Sequence, residues 1–196
     1  GGGGNTPPQS SCNGWDKICT VTQDPDQTPA TVEITYSFVK KDQAGVLPDG
    51  VAMDSANFTS IFKNEIRRAF DRWKDAFQQE FPWLTLNFTD LGNEGDAMGI
   101  TSPGSNYPYP YPHNFGDFRI GLHDGPIRGG TLAHAYVGCN DDGSILNEEG
   151  GTNGDLHFAS YMEGQPNTAL WRKDSDPTNG STFSIEWVAV HEIGHS

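Results

Sequence analysis

EWVAVHEIGHS, Glu186 to Ser196, decides the reading of this sequence. Within it, HEIGH places His191 and His195 four residues apart, with Glu192 directly after the first histidine. On an α-helix, positions i and i+4 lie one turn apart on the same face, so both imidazoles can reach one metal ion. Zinc suits them, because neutral imidazole nitrogen is among its ordinary ligands. The neighbouring carboxylate can then take a proton from a water activated by the metal, which attacks a peptide carbonyl. The bland alternative is a surface helix that happens to carry two histidines. The intervening glutamate and the apolar lead-in of Trp187, Val188 and Val190 favour a buried active-site helix instead.

Working outward, the chain alternates strands with a single long helix. Thr31 to Lys40 (TVEITYSFVK) alternates and is rich in β-formers, which predicts a first strand. Asp54 or Ser55 can cap a helix that runs to about Gln79. Phe58, Phe62, Ala69, Trp73 and Phe77 recur near helical spacing on one side, with Arg67, Arg68, Asp71 and Lys74 outward. That aromatic stripe reads as core packing rather than a binding surface. Further strands are expected at Leu84–Phe88, Phe118–Leu122, Thr131–Val137 and Asp155–Ser160. The YPYPYP run between residues 101 and 115 reads as loop or extended polyproline. Strand, long helix, several strands and the motif helix make an α+β arrangement with one mixed, twisted five-stranded sheet.

Composition bounds the rest. The 196 residues suffice for one domain with a real core. Residues 1–30, opening on four glycines, read as a linker with a small disulfide loop, since Cys12 and Cys19 are close enough to pair. The domain proper is expected over 31–196. Cys139 is left without an obvious mate. Twelve basic against 26 acidic residues give a formal charge of −14, which argues against nucleic acid or an anionic membrane as the main partner. No run of 18 apolar residues offers a membrane span. Sequons at Asn57, Asn87 and Asn179 are compatible with a secreted glycoprotein.

Three more histidines, His123, His134 and His157, fall on or beside predicted strands. They could converge on a second, closed metal site; taken singly, each is as readily an ordinary polar residue. GGTLAHAY (Gly129 to Tyr136), GDLHF (Gly154 to Phe158) and VAVHEIGHS, in that order, resemble the catalytic domain of the matrixins, a branch of the metzincin zinc endopeptidases. The likeness extends upstream through IRRAFDRWKDAFQQEFPWLTLNF (Ile66 to Phe88) and DFRIG (Asp117 to Gly121), covering roughly Thr31 to Ser196.

This resemblance implies a metzincin-like fold with a long first helix and a C-terminal active-site helix. It implies catalytic zinc on His191 and His195, with Glu192 as general base. It also implies structural zinc on His123, His134 and His157. Asp124 is either a fourth ligand there or part of a calcium loop. Asp117 and Asp155 match calcium ligands, whereas Ala159 stands where the family carries a calcium-binding aspartate. By the same resemblance, an extracellular protein substrate would lie extended along the edge strand at Leu132 and Ala133. Association with other extracellular chains is a further expectation. The family motif runs HExxHxxGxxH, placing a third histidine beyond Ser196. With two imidazoles alone zinc would be held weakly, so the chain as written is expected to show little peptidase activity. The competing reading is a structural or protein-binding module on the same scaffold.

Overall fold

A computed structural model describes residues 15, 18, 21–38, 60–93, 116–123, 125–135 and 155–195, the side chains of Asn93 and Asp155 excepted. Strand β1 (Ala30–Phe38) leads to helix α1 (Ser60–Glu80), then β2 (Leu84–Asn93) and β3 (Phe118–Leu122). A single 3-10 turn at Arg128–Gly130 precedes β4 (Ala133–Ala135), followed by β5 (Asp155–Phe158). The short strands β6 (Trp171–Arg172) and β7 (Phe183–Ser184) lead into helix α2 (Ile185–His195).

The main sheet has five strands in the order β2-β1-β3-β5-β4. The first four are mutually parallel, and β4 runs antiparallel to β5 at the edge. The expected α+β architecture with one mixed sheet is therefore present, consistent with a metzincin-like domain. Strand β3 is buried along its whole length, as an interior parallel strand should be. On β1 the period-two alternation buries Val32, Ile34, Tyr36 and Phe38 together.

Helix α1 buries Glu65, Ile66, Ala69 and Phe70 against this sheet, with Phe62, Trp73 and Phe77 packed at the margin. Phe70 is the centre: its ring stacks on Tyr36 at 4.3 Å and meets Phe118 edge-on at 5.4 Å. The helix stops one residue short of Phe81-Pro82, where the proline disfavours a helical conformation in its predecessor. The expected start at Asp54 or Ser55 lies outside the described residues, as does Phe58.

Two departures from the expected elements have local causes. The fourth strand begins at Ala133 rather than Thr131, because Gly129 and Gly130 both take positive φ (75° and 72°) and turn the chain until there; residues 136 and 137 lie outside the described residues. The β6–β7 pair has two residues in each strand, too few for any periodicity to reveal. Upstream of residue 31, Trp15 and Ile18 pack into the same core, Ile18 being only 2% exposed.

Candidate metal centres

Strands β3, β5 and β4 bring the three dispersed histidines together. His134 and His157 are direct cross-strand partners in the antiparallel β4–β5 pair. His123 follows β3 and donates its backbone N–H to the Phe158 carbonyl at 2.8 Å. The rings meet on one side of the sheet, with His123 Nε2 3.1 Å and His134 Nε2 3.0 Å from His157 Nδ1. One ring nitrogen from each residue lies within 4.8 Å of the other two. Tetrahedral zinc with bonds of about 2.0–2.1 Å separates its ligand nitrogens by roughly 3.3 Å, so small ring rotations would seat the ion. His157 is fully buried, and burial, reinforced by the neighbouring His134 and His123, holds its pKa well below the ordinary imidazole value. A neutral imidazole is the form that ligates metal.

The motif helix carries the second group. Ser184 opens α2, its hydroxyl accepting from Trp187 N–H at 3.4 Å and donating to Asp174 at 3.1 Å. Ile185, Glu186, Ala189, Glu192 and Ile193 form the buried side. His191 and His195 stand on the exposed side with their Nε2 atoms 3.0 Å apart. Trp187 shares that exposed side at 52% exposure, contrary to the expected burial, because helical spacing aligns residues 187, 191 and 195. The Arg72 guanidinium covers its ring at 4.5 Å.

Glu192 is only 8% exposed. Burial raises its pKa, opposed by the His191 and His195 charges and by the Ala135 backbone N–H donated to the carboxylate. The glutamate is thereby tied to edge strand β4, one residue beyond His134. A partly dried carboxylate with a raised pKa beside two imidazoles is suited to moving a proton.

Asp117 accepts at Oδ2 from the Thr35 N–H (2.9 Å) and hydroxyl (3.1 Å), while its own N–H donates to Thr35 Oγ1 at 3.0 Å, bracing β1 against β3. Asp155 is the backbone partner of Arg119 at the start of β5. Leu132 accepts from the Ala159 N–H at 2.8 Å, and Ala133 is buried on the terminal strand of the sheet. Ala159 also accepts from the Trp171 indole at 2.7 Å, so this position links the sheet edge to the β6–β7 layer. Asn87 donates to Glu33 on the neighbouring strand at 2.7 Å. Asn179 is exposed, and its side-chain Oδ1 accepts from Ser181 and Thr182. Asp124, Cys12, Cys19, Cys139, Asn57 and the Asp155 side chain lie outside the described residues.

Sequence reasoning missed the supports of the motif helix. Glu186 and Glu65 are buried carboxylates with guanidinium partners from α1: Arg72 and Arg68 pair with Glu186, and Arg68 also pairs with Glu65. Glu65 further accepts from the Asp174 N–H at 3.1 Å, tying α1 to the chain between β6 and β7. Two indoles, from Trp15 and Trp73, donate to carbonyls of α2. Nothing in their spacing distinguishes these residues from ordinary surface charges and core aromatics.

No protein-family model matches the chain, and no solved structure matches it. A curated relative, Metalloendoproteinase 1 of Glycine max, is 31% identical over 144 residues, covering 68% of this chain and 32% of that protein. The chain thus spans about a third of the length of the relative it matches. Among the described residues, no helix is long and apolar enough to cross a membrane. The likeness relates the chain to a plant metalloendoproteinase, in keeping with the matrixin resemblance of its histidine motifs.

Proposed function

We propose that this chain is part of a secreted zinc-dependent endopeptidase of matrixin type, acting on extracellular proteins. The observation that carries this reading is the geometry of α2: two Nε2 atoms 3.0 Å apart on an exposed face, beside a buried Glu192. The relationship to a metalloendoproteinase supports it.

His191 and His195 would hold the catalytic ion, with the family's third histidine expected further along the native polypeptide. Zinc, when bound, polarises the scissile carbonyl and acidifies water. Glu192 takes the proton of the attacking water and passes it to the leaving amine, helped by burial that raises its proton affinity. The substrate lies extended and antiparallel along β4, at Leu132 and Ala133, adding a strand through main-chain hydrogen bonds. Because the Ala135 N–H holds Glu192, the same strand would register the peptide against the base. His123, His134 and His157 would bind a structural zinc that staples β3, β5 and β4. Asp117 and Asp155 are the proposed calcium positions, with Asp117 already engaged by Thr35 through one oxygen.

The test uses the native polypeptide, first sequenced beyond Ser196. Glu192→Ala should lower peptide cleavage at least about a thousandfold while leaving unfolding and zinc content unchanged. Two zinc ions per chain are expected. One zinc per chain, lost on His157→Ala but not on His191→Ala, together with no cleavage, would establish the binding-module reading instead.

A further inference from the structure

We propose that Trp15 and Trp73 are positioning residues for the His191–His195 pair, clamping the end of α2 through two indole-to-carbonyl hydrogen bonds. The inference rests on the zinc-binding reading of that pair. Trp73 Nε1 donates to the Val190 carbonyl at 2.9 Å, and Trp15 Nε1 donates to the Ile193 carbonyl at 2.6 Å. Val190 directly precedes His191, and Ile193 lies two residues before His195. Each histidine therefore has a tethered carbonyl within two residues of it.

Both donors are fixed by their surroundings. Their rings touch at 5.3 Å, and Trp15 also meets Phe77 (5.0 Å), Phe118 (5.7 Å) and Phe88 (5.9 Å), which belong to α1, β3 and β2. The clamp is thus anchored in the core rather than in a loop. Gly194, inside the motif, makes the close approach possible. A Cβ there would fall 2.8 Å from Trp73 Cζ2.

The physical need is plain. His191 and His195 stand on the exposed side of α2, so the seating of the opposite side on the core fixes where they point. Local opening of this turn swings His195 away from His191, and a metal bound by both must first restore it. Holding the Val190 and Ile193 carbonyls keeps the two imidazoles convergent before any ion arrives, which is preorganisation of the ligand set. Trp15 comes from a segment that the sequence alone assigns to a linker, so the metal motif depends on chain 178 positions away.

The native full-length polypeptide, isotopically labelled, would be compared with Trp15→Phe, Trp73→Phe and Gly194→Ala. The first two remove a donor but keep a ring; the third displaces the helix end while keeping both donors. Amide exchange without metal and a zinc titration followed at the histidine ring resonances would be read. Each variant should speed exchange at the end of α2 about five- to tenfold, with the α1 amides unchanged. Each should weaken zinc at His191 and His195 by a similar factor, while His123, His134 and His157 titrate as in the parent. Cleavage should lose kcat with KM nearly constant. Parent-like exchange and affinity in all three variants would overturn the clamp while leaving the protease reading intact. Faster exchange spread equally over α1 and α2 would also overturn it, since that is global loss of stability. If the unaltered pair binds no zinc, the protease reading fails. Exchange at the end of α2 then decides the clamp by itself.

Discussion

Tyr36 shows how single side chains in this core carry consequences that charge counting misses. Its ring is stacked under Phe70 and its phenol is nearly buried, and burial together with nearby Asp90 pushes its pKa up to about 12 from 10.0. The folded chain holds the phenolic proton more tightly than the unfolded chain. The contribution of Tyr36 to stability is therefore constant below about pH 10 and is lost as pH rises from 10 toward 12. A shift of that size corresponds to roughly 3 kcal/mol. Urea midpoints measured across that range should decline steeply for the parent and more gently for Tyr36→Phe. Gly116 lies tight against the backbone of β1. A Cβ there would lie 2.4 Å from the Tyr36 Cα, against backbone that cannot rotate away. Gly116→Ala should cost about 3 kcal/mol or more in denaturant unfolding.

Between elements, the decisive contact is the face of α1 against α2. Glu186 is buried on α2, and its charge is met by Arg72 and, at 3.7 Å, by Arg68 of α1. Both guanidiniums remain half exposed, so solvent weakens the attraction and Arg68 would partly cover a loss of Arg72. Arg72→Ala should then cost about 1–2 kcal/mol, part of it from uncovering the Trp187 ring. Replacing both partners, as Arg72→Met with Glu186→Leu, should recover most of that loss, because no charge is left buried. A double-mutant cycle on unfolding free energy checks both expectations. A double variant less stable than Arg72→Ala alone would mean that the pair does more than neutralise buried charge.

For the molecule as a whole, the three-histidine group is where one ion would join three neighbouring strands of the main sheet. His123 follows an interior strand, His157 lies on the next, and His134 is on the edge strand that holds Glu192 through Ala135. Zinc at a hundred times its dissociation constant should add about 2.7 kcal/mol to unfolding stability. A chelator should remove that increment, and His134→Ala should be insensitive to the chelator at this site. Because β4 bears both His134 and the Ala135 N–H, metal removal should also speed amide exchange along β4. An unchanged unfolding curve after complete zinc removal would reject the stapling role.

Some of this was determined by the sequence itself, wherever the cause is local. Four-residue spacing puts His191 and His195 on one helical face whatever surrounds them. Alternation defines β1, and the aromatic stripe through Phe62, Ala69, Trp73 and Phe77 marks the packed side of α1. Proline at 82 sets the end of that helix. Only the tertiary structure decided the rest, because it depends on register between distant strands. A one-residue slip of β4 on β5 would turn His134 to the opposite face and dissolve the three-histidine group. The burial of Glu65 and Glu186 exists only once α1 has packed against the rest of the fold, since their spacing is that of ordinary surface carboxylates. Trp15 joins the histidine-bearing helix α2 through contacts that no local pattern encodes. Hydrogen bonds to helix carbonyls depend on where two remote segments come to rest.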